Sequence, residues 1–414
     1  MPSIEKILKL QLVMILCFTM PNLMMDIFVP QLHTLTTLVL YATIVYTVSY
    51  MLSRTPRYNK VFLFYVLFFL IYSVVIYFDL TTDLKYPMSN MLGCPKSVME
   101  FITTTLIILF FILQAPLYQK IKDFSFLVKY YILFNLPLVL LYINTVGVVE
   151  IQLDESITDI STLTLASTAT NCLLLAIIFK KSFTKNKILN NAILVLVFLA
   201  TMSVWGDLAK RGAILWFFVT LIIYVILKSK NIKVTIIKCC LIFAVVYHFL
   251  PTVLSAVGNF SPFLAERIES TLVEGHTSGR MEEDGAYAYA TAQFYESPML
   301  GSYFRIVTTN PIWRGMYPHN IILEVLITVG VIGFIPFLYF IGKIFSKLRK
   351  AFKNTPNNNS IEKVLGILFI NIFFSLMSTG TILLNLPFWV IIAILLTINV
   401  NKNGKLFNHN TAQK

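Results

Sequence analysis

Apolar runs of about twenty residues recur along nearly the whole chain and leave little room for a water-soluble fold. A helix needs about 20 such residues to cross the roughly 30 Å hydrocarbon core of a bilayer. A sliding apolar window places runs at 7–28, 34–52, 61–79, 101–117, 125–147, 161–179, 190–207, 213–227, 235–257, 321–342, 364–380 and 384–400. Pro21, Asp26 and Pro30 interrupt the first two. Twelve spans of this length use roughly 240 positions. Composition agrees, since only 13% of the 414 residues are charged, against about 25% in soluble domains. The expected fold is an all-α integral membrane protein of about twelve transmembrane helices, one polytopic domain over 1–414. No small-residue cleavage site follows the first run, so it is read as a retained anchor.

The net charge of +13, from 33 basic and 20 acidic residues, suggests nucleic acid only if the basic residues form one patch. They do not. Lys and Arg collect in alternate loops: Arg54, Arg57 and Lys60; Lys120 and Lys122; Lys180, Lys181, Lys185 and Lys187; Lys228, Lys230 and Lys233; Lys343, Lys347, Arg349, Lys350 and Lys353. The intervening loop 148–160 holds Glu150, Asp154, Glu155 and Asp159 with no Lys or Arg. Cytoplasmic loops carry the Lys/Arg excess, so both termini are expected in the cytoplasm. Nucleic acid is set aside as a partner. The five cysteines, Cys17, Cys94, Cys172, Cys239 and Cys240, have no metal-ligand spacing, and no disulfide framework follows from them.

Two outer features run against this bias. The segment 258–320 is the only long outer loop, and it holds Arg267, Arg280, Arg305 and Arg314. Arg211 lies at the outer turn between the seventh and eighth runs, where Asp207 at i−4 offers it a structural ion pair. Within the long loop, Glu282, Glu283 and Asp284 suit a first helical turn. Tyr287, Ala290 and Phe294 share a face, and Ser297-Pro298 ends the pattern. The expectation is an amphipathic helix over 281–296 on the outer membrane face, with Arg280 at its N-terminus, where backbone N–H groups favour an anion. The loop closes with Tyr317-Pro318-His319-Asn320. His319 stands at the water boundary, either as an interfacial hydrogen bonder or as a general base. Glu324, one turn further on, is costly in lipid and needs a cavity or a partner. His33 and His248 are read as structural, and His276 has no evident partner. Carboxylate clusters at 282–284 and at Asp79 and Asp83 lack further ligands, so no metal is expected.

The order Ser278-Gly279-Arg280, a helix, Ser297-Pro298-x-x-Gly301, His319-Asn320-x-x-Leu323-Glu324 and Gly330-x-x-Gly333 resembles the signature of the O-antigen polymerase and O-antigen ligase superfamily. Arg211-Gly212 is similar to that family's upstream Arg-Gly. Lys210 stands where the family often has Ser, and Tyr287 and Tyr289 where it often has Trp. The resemblance covers about 265–335 and 205–215. It implies a helical glycosyltransferase of the GT-C type in the bacterial inner membrane. Such an enzyme inverts configuration, uses no cofactor, and acts at the periplasmic face on glycans carried by undecaprenyl diphosphate, which serve as donor and acceptor. A chain-length regulator is a further partner the resemblance allows. It implies that Arg211 and Arg280 hold the diphosphate and that His319 is the catalytic base. Arg267, Arg305, Arg314, Tyr317, Asn320 and Glu324 are supporting candidates. The compact loop and loosely kept motifs favour a polymerase. The alternatives are a ligase that moves glycan to lipid A core, and a lipid-linked-sugar flippase. A flippase would place its polar residues near the midplane, often in two related halves.

Overall fold

The computed structural model describes residues 3–18, 30–54, 56–82, 97–121, 123–146, 155–208, 211–262, 265–266, 268–269, 285–302, 318, 320–354, 359–378, 381–382 and 385–398. Among these residues all regular structure is helical. Among the described residues four helices are long and apolar enough to cross a membrane: Gln31–Ser53, Lys60–Phe78, Lys187–Gly206 and Ile321–Lys353. Shorter apolar helices accompany them, including Val98–Leu113, Ser125–Leu141, Gly212–Lys228 and Leu386–Thr397. The chain is a helical, multi-pass membrane protein.

Polar side chains set where several helices begin. Asn59, Ser97, Asn231, Asn320 and Asn385 each accept a backbone N–H from the first turn of the helix that follows, satisfying donors that an apolar first turn leaves open. Four apolar runs end up differently bounded. The run 235–257 becomes two helices, Ile232–His248 and Leu250–Phe260, because Pro251 cannot donate within a helix and starts the second one instead. The run 7–28 begins as Ile4–Leu12 and loosens into a π turn over Val13–Cys17; 19–29 lie outside the described residues. The helix Glu155–Ile178 starts within the acidic loop, where a carboxylate suits a helix N-terminus. The helix Ile321–Asn354 continues past the expected end at 342.

The chain divides into two compact units, one formed by Met1–Ser53, Lys120–His276 and Leu348–Asn371, the other by Arg54–Gln119, Thr277–Lys347 and Ile372–Lys414. In the first unit buried polar side chains join four helices. Asn371 Nδ2 donates to Asn171 Oδ1 at 2.9 Å, and Thr220 Oγ1 donates to Asn371 Oδ1 at 3.3 Å. Trp205 Nε1 donates to Thr170 Oγ1 at 3.1 Å. Lipid tails are as apolar as Leu, so polar side chains of this kind supply cohesion that burial alone does not. The small residues Ala166, Ala169 and Ala213 let the neighbouring helices approach.

The core of the second unit is aromatic. Trp389 is fully buried and meets the rings of Phe69 at 5.0 Å and Tyr72 at 5.4 Å between centroids. Its indole N–H donates to the Ile382 carbonyl at 2.7 Å, and the Tyr65 hydroxyl donates to the Trp389 carbonyl at 2.9 Å. Each polar tip therefore has a partner, which is the condition for burying such rings. In the loop before Lys60, burial pushes the Tyr58 phenol up from its ordinary pKa, and its hydroxyl stays a neutral donor to the Leu113 carbonyl at 3.1 Å.

Candidate functional site

The helix expected over 281–296 runs Ala286–Glu296, preceded by Gly285 in an extended conformation. Glycine is a poor helix former and acts here as the N-cap. The acidic residues 282–284 therefore precede the cap instead of filling the first turn, and Arg280 does not adjoin the helix start in sequence. The buried face carries Ala286, Ala290 and Gln293. Ala290 packs on Ile327, flanked by Tyr289, Phe294 and Leu323. Of the three residues expected to share a face, Ala290 and Phe294 are packed here, and the tyrosine beside them is Tyr289, not Tyr287. The Gln293 side chain is buried, and its amide nitrogen meets no acceptor among the described residues.

Immediately after this helix the chain locks into the long helix Ile321–Asn354. That helix is broken at Gly330, which has φ 60° and ψ −170°. An unbroken helix would pair the Val331 N–H with the Ile327 carbonyl and the Ile332 N–H with that of Thr328. Instead Val331 N–H donates to the Pro298 carbonyl at 2.9 Å and Ile332 N–H to the Met299 carbonyl at 3.3 Å. The Ile327 carbonyl accepts from the Ser302 N–H. The turn 298–302 thus takes over helical bonds that the break gives up. Groups of this kind are tolerated at membrane depth only when protein satisfies them. Gly301, at φ +78°, lies against Gly330 and Thr328; a Cβ on either glycine would overlap the other strand's backbone. The glycines of the Ser297-Pro298-x-x-Gly301 and Gly330-x-x-Gly333 patterns are therefore one interlock. Gly333 is needed as well, since a Cβ there would overlap Val329.

The opposite end of this half-helix is fixed by Asn320 and Glu324. Asn320 Oδ1 accepts from Ile322 N–H at 2.9 Å and Leu323 N–H at 3.3 Å, and the Ile321 N–H donates to the Leu376 carbonyl at 2.9 Å. Glu324 is fully buried. Its Oε1 accepts from the Thr381 hydroxyl, from the Ile382 N–H at 3.2 Å and from the Tyr72 hydroxyl at 3.4 Å, while Oε2 shares the Ile382 N–H at 3.2 Å. A buried carboxyl group is tolerated in such a place only when it is hydrogen-bonded. Glu324 joins three segments that are far apart in sequence, so it acts as a tie. Asn320 is likewise a cap. Sequence reasoning marked both residues but had no signal for their partners Tyr72, Thr381 and Ile382.

The remaining candidates divide simply. Arg267, Arg280, Arg305, Arg314, Tyr317 and His319 lie outside the described residues. Arg211 opens the helix Arg211–Lys228, and its side chain lies outside the description. Among the described residues no group of three His, Cys, Asp or Glu side chains gathers at one point, and Cys17, Cys172, Cys239 and Cys240 are free. His248 is exposed, with its ring against Phe249. What the described geometry provides is scaffolding: Gly285–Ser302 and Asn320–Gly333 are clasped; Asn320 directly follows His319, and Gly285 comes five residues after Arg280. Compared with known proteins, the chain matches no family model and no curated protein.

Proposed function

We propose that this protein is an O-antigen polymerase, joining oligosaccharide repeat units carried on undecaprenyl diphosphate at the periplasmic face of the bacterial inner membrane. In this reading it has about twelve spans, both termini are cytoplasmic, and the glycosyltransferase is of the GT-C type. The leaving diphosphate gains negative charge as the glycosidic bond breaks. Guanidinium groups fixed before the reaction stabilise that charge without reorganising. Arg280 takes this role, and Arg211 is assigned to it by its own motif. His319 accepts the proton of the attacking sugar hydroxyl, and displacement proceeds with inversion.

One observation carries the reading. The glycines and the Asn-Glu pair on which the resemblance rests are not scattered; Gly301, Gly330, Asn320 and Glu324 hold two loop segments to one half-helix. A rigid frame of this kind is what a positioned arginine and histidine require. Transport draws less support, because the helix break that would offer backbone groups to a substrate has given its Val331 and Ile332 donors to the chain's own turn.

The test is chemical and genetic. In cells carrying Arg280→Ala or His319→Ala, lipid-linked single units are expected to accumulate on the outer leaflet, with lipid A core bearing at most one unit. Arg280→Lys is expected to impair polymer formation too, because an ammonium cannot grip phosphate bidentately. Bare core with long polymer left on the carrier would mark a ligase. Units trapped on the inner leaflet would mark a flippase. Full-length polymer in both alanine variants overturns the catalytic assignment.

A further inference from the structure

A groove of about 410 Å³ runs along the second unit between the helices Lys60–Thr82 and Ile321–Asn354. Its walls are Val61 and Phe64 on one side and Ile335, Pro336 and Tyr339 on the other, with Lys60 at one mouth. Proline removes a helical hydrogen bond and bends the helix that contains it, and Pro336 sits in the wall. The volume falls within the range of small-molecule sites, yet among the described residues the only charged one in the wall is Lys60.

Three features at that mouth favour an anion. Lys60 is exposed and opens its helix, so the positive pole of the helix dipole lies there too. One turn beyond Tyr339, the exposed Lys343 holds its ammonium 5.2 Å above the Tyr339 ring. Neither lysine has a carboxylate within ion-pair distance among the described residues. Both helices are apolar and long enough to cross a bilayer. The groove's flank exposes Leu63, Leu67, Ile335 and Leu338, which suits contact with hydrocarbon.

We propose that this groove is a binding site for an anionic phospholipid, with one acyl chain along Phe64, Ile335 and Tyr339 and its phosphodiester headgroup between Lys60 and Lys343. Basic pockets between membrane helices hold acidic headgroups in this manner. The site is independent of the glycosyl-transfer reading, since none of its residues belongs to the motifs that carry it.

Bromolipid quenching tests the assignment. The full chain carrying Phe64→Trp, and in parallel Ile335→Trp as a second reporter, is reconstituted in phosphatidylcholine vesicles. These contain either brominated phosphatidylglycerol or brominated phosphatidylcholine at equal mole fraction, and the parent protein's tryptophan signal is subtracted. Each ammonium is expected to raise the apparent association constant of the anionic lipid about fivefold, so a preference of roughly 25-fold is expected at both reporters. Phe243→Trp, on the exposed face of Ile232–His248, is expected to show none. The preference is expected to vanish in Lys60→Gln/Lys343→Gln. Equal quenching by the two lipids at both reporters overturns the proposal. So does a preference that survives the double substitution, or protection from both lipids, as a second copy seated on the groove would give.

Discussion

Gly330 holds a backbone conformation, φ 60° and ψ −170°, that is essentially confined to glycine. Its Cα also faces the Met299 carbonyl so closely that no Cβ fits. Gly330→Ala is therefore expected to cost about 3 kcal/mol or more, from strain and from the lost interlock. Gly342→Ala supplies the contrast, for a Cβ there meets nothing and alanine favours a helix by about 1 kcal/mol. Thermal unfolding in one detergent should rank Gly342→Ala at or above the parent and Gly330→Ala far below it. Equal midpoints for the two would show that the interlock adds no stability. Glu324 belongs at the same scale. Glu324→Gln keeps an acceptor for Thr381 and Ile382, whereas Glu324→Leu leaves buried donors unmet at about 1–3 kcal/mol each. The expected order of unfolding midpoints is parent, Gln, Leu, and a leucine variant as stable as the parent would show that the tie is dispensable. Sequence alone marked Glu324 as needing a partner because a carboxylate within an apolar run is costly. It did not indicate that Gly330 breaks the helix, since isolated glycines are common in membrane helices and the positive φ is set by residues 298–302.

At the scale of elements, the helices were legible because an apolar run of spanning length has few other outcomes in lipid. Their ends were less so, being fixed by contacts with distant segments. The basic residues past 342 illustrate this. Read as a loop, they proved helical, and two of them close other helices. Lys347 Nζ donates to the carbonyls of Leu395 at 3.0 Å, Leu396 at 2.7 Å and Ile398 at 2.7 Å, the negative pole of Leu386–Thr397. Arg349 reaches the Ile226 carbonyl near the end of Arg211–Lys228 at 3.5 Å. Positive charge counted as a topology signal thus also caps helices. Lys347→Met is expected to cost about 1–3 kcal/mol, since the Leu395 and Ile398 carbonyls lose this donor and the Leu396 carbonyl keeps only that of Asn59. Lys350→Met, at an exposed position, is expected to stay within about 0.5 kcal/mol of the parent. Limited proteolysis of the C-terminal segment and thermal unfolding both read this difference, and identical behaviour of the two variants would refute the capping role.

For each unit as a whole, the hydrogen bonds sort the connecting segments by end. In the second unit Asn59 donates to the Leu396 carbonyl and Gln119 to that of Thr397, close to where Lys347 binds. Tyr72, Glu324, Leu376 and Thr381 meet at another level. Lys347 lies 17 residues beyond the break at Gly330, about 25 Å at 1.5 Å per residue, comparable with a bilayer core of roughly 30 Å. In the first unit Ser182 and Phe124 both bond to Asn359, while Ser261 bonds to the Gly206 carbonyl. The Lys/Arg-rich loops adjoining Asn59, Gln119 and Lys347 therefore share an end of the second unit, and those adjoining Phe124 and Ser182 share an end of the first. Which end faces the cytoplasm is a separate matter, for which the Lys/Arg excess supplies the expectation, and it can be measured without reference to catalysis. With the native cysteines replaced, Glu296→Cys and Lys350→Cys both place a thiol at an exposed position. A membrane-impermeant maleimide should label the first in intact spheroplasts and the second only after permeabilisation. Reversal of that pattern would put the arginine-rich loop in the cytosol, where the outer-leaflet substrate of the proposed polymerase is out of reach. Labelling of both from the same side would contradict a single crossing between Glu324 and Lys347, and with it the even spacing of spans on which the twelve-helix topology depends.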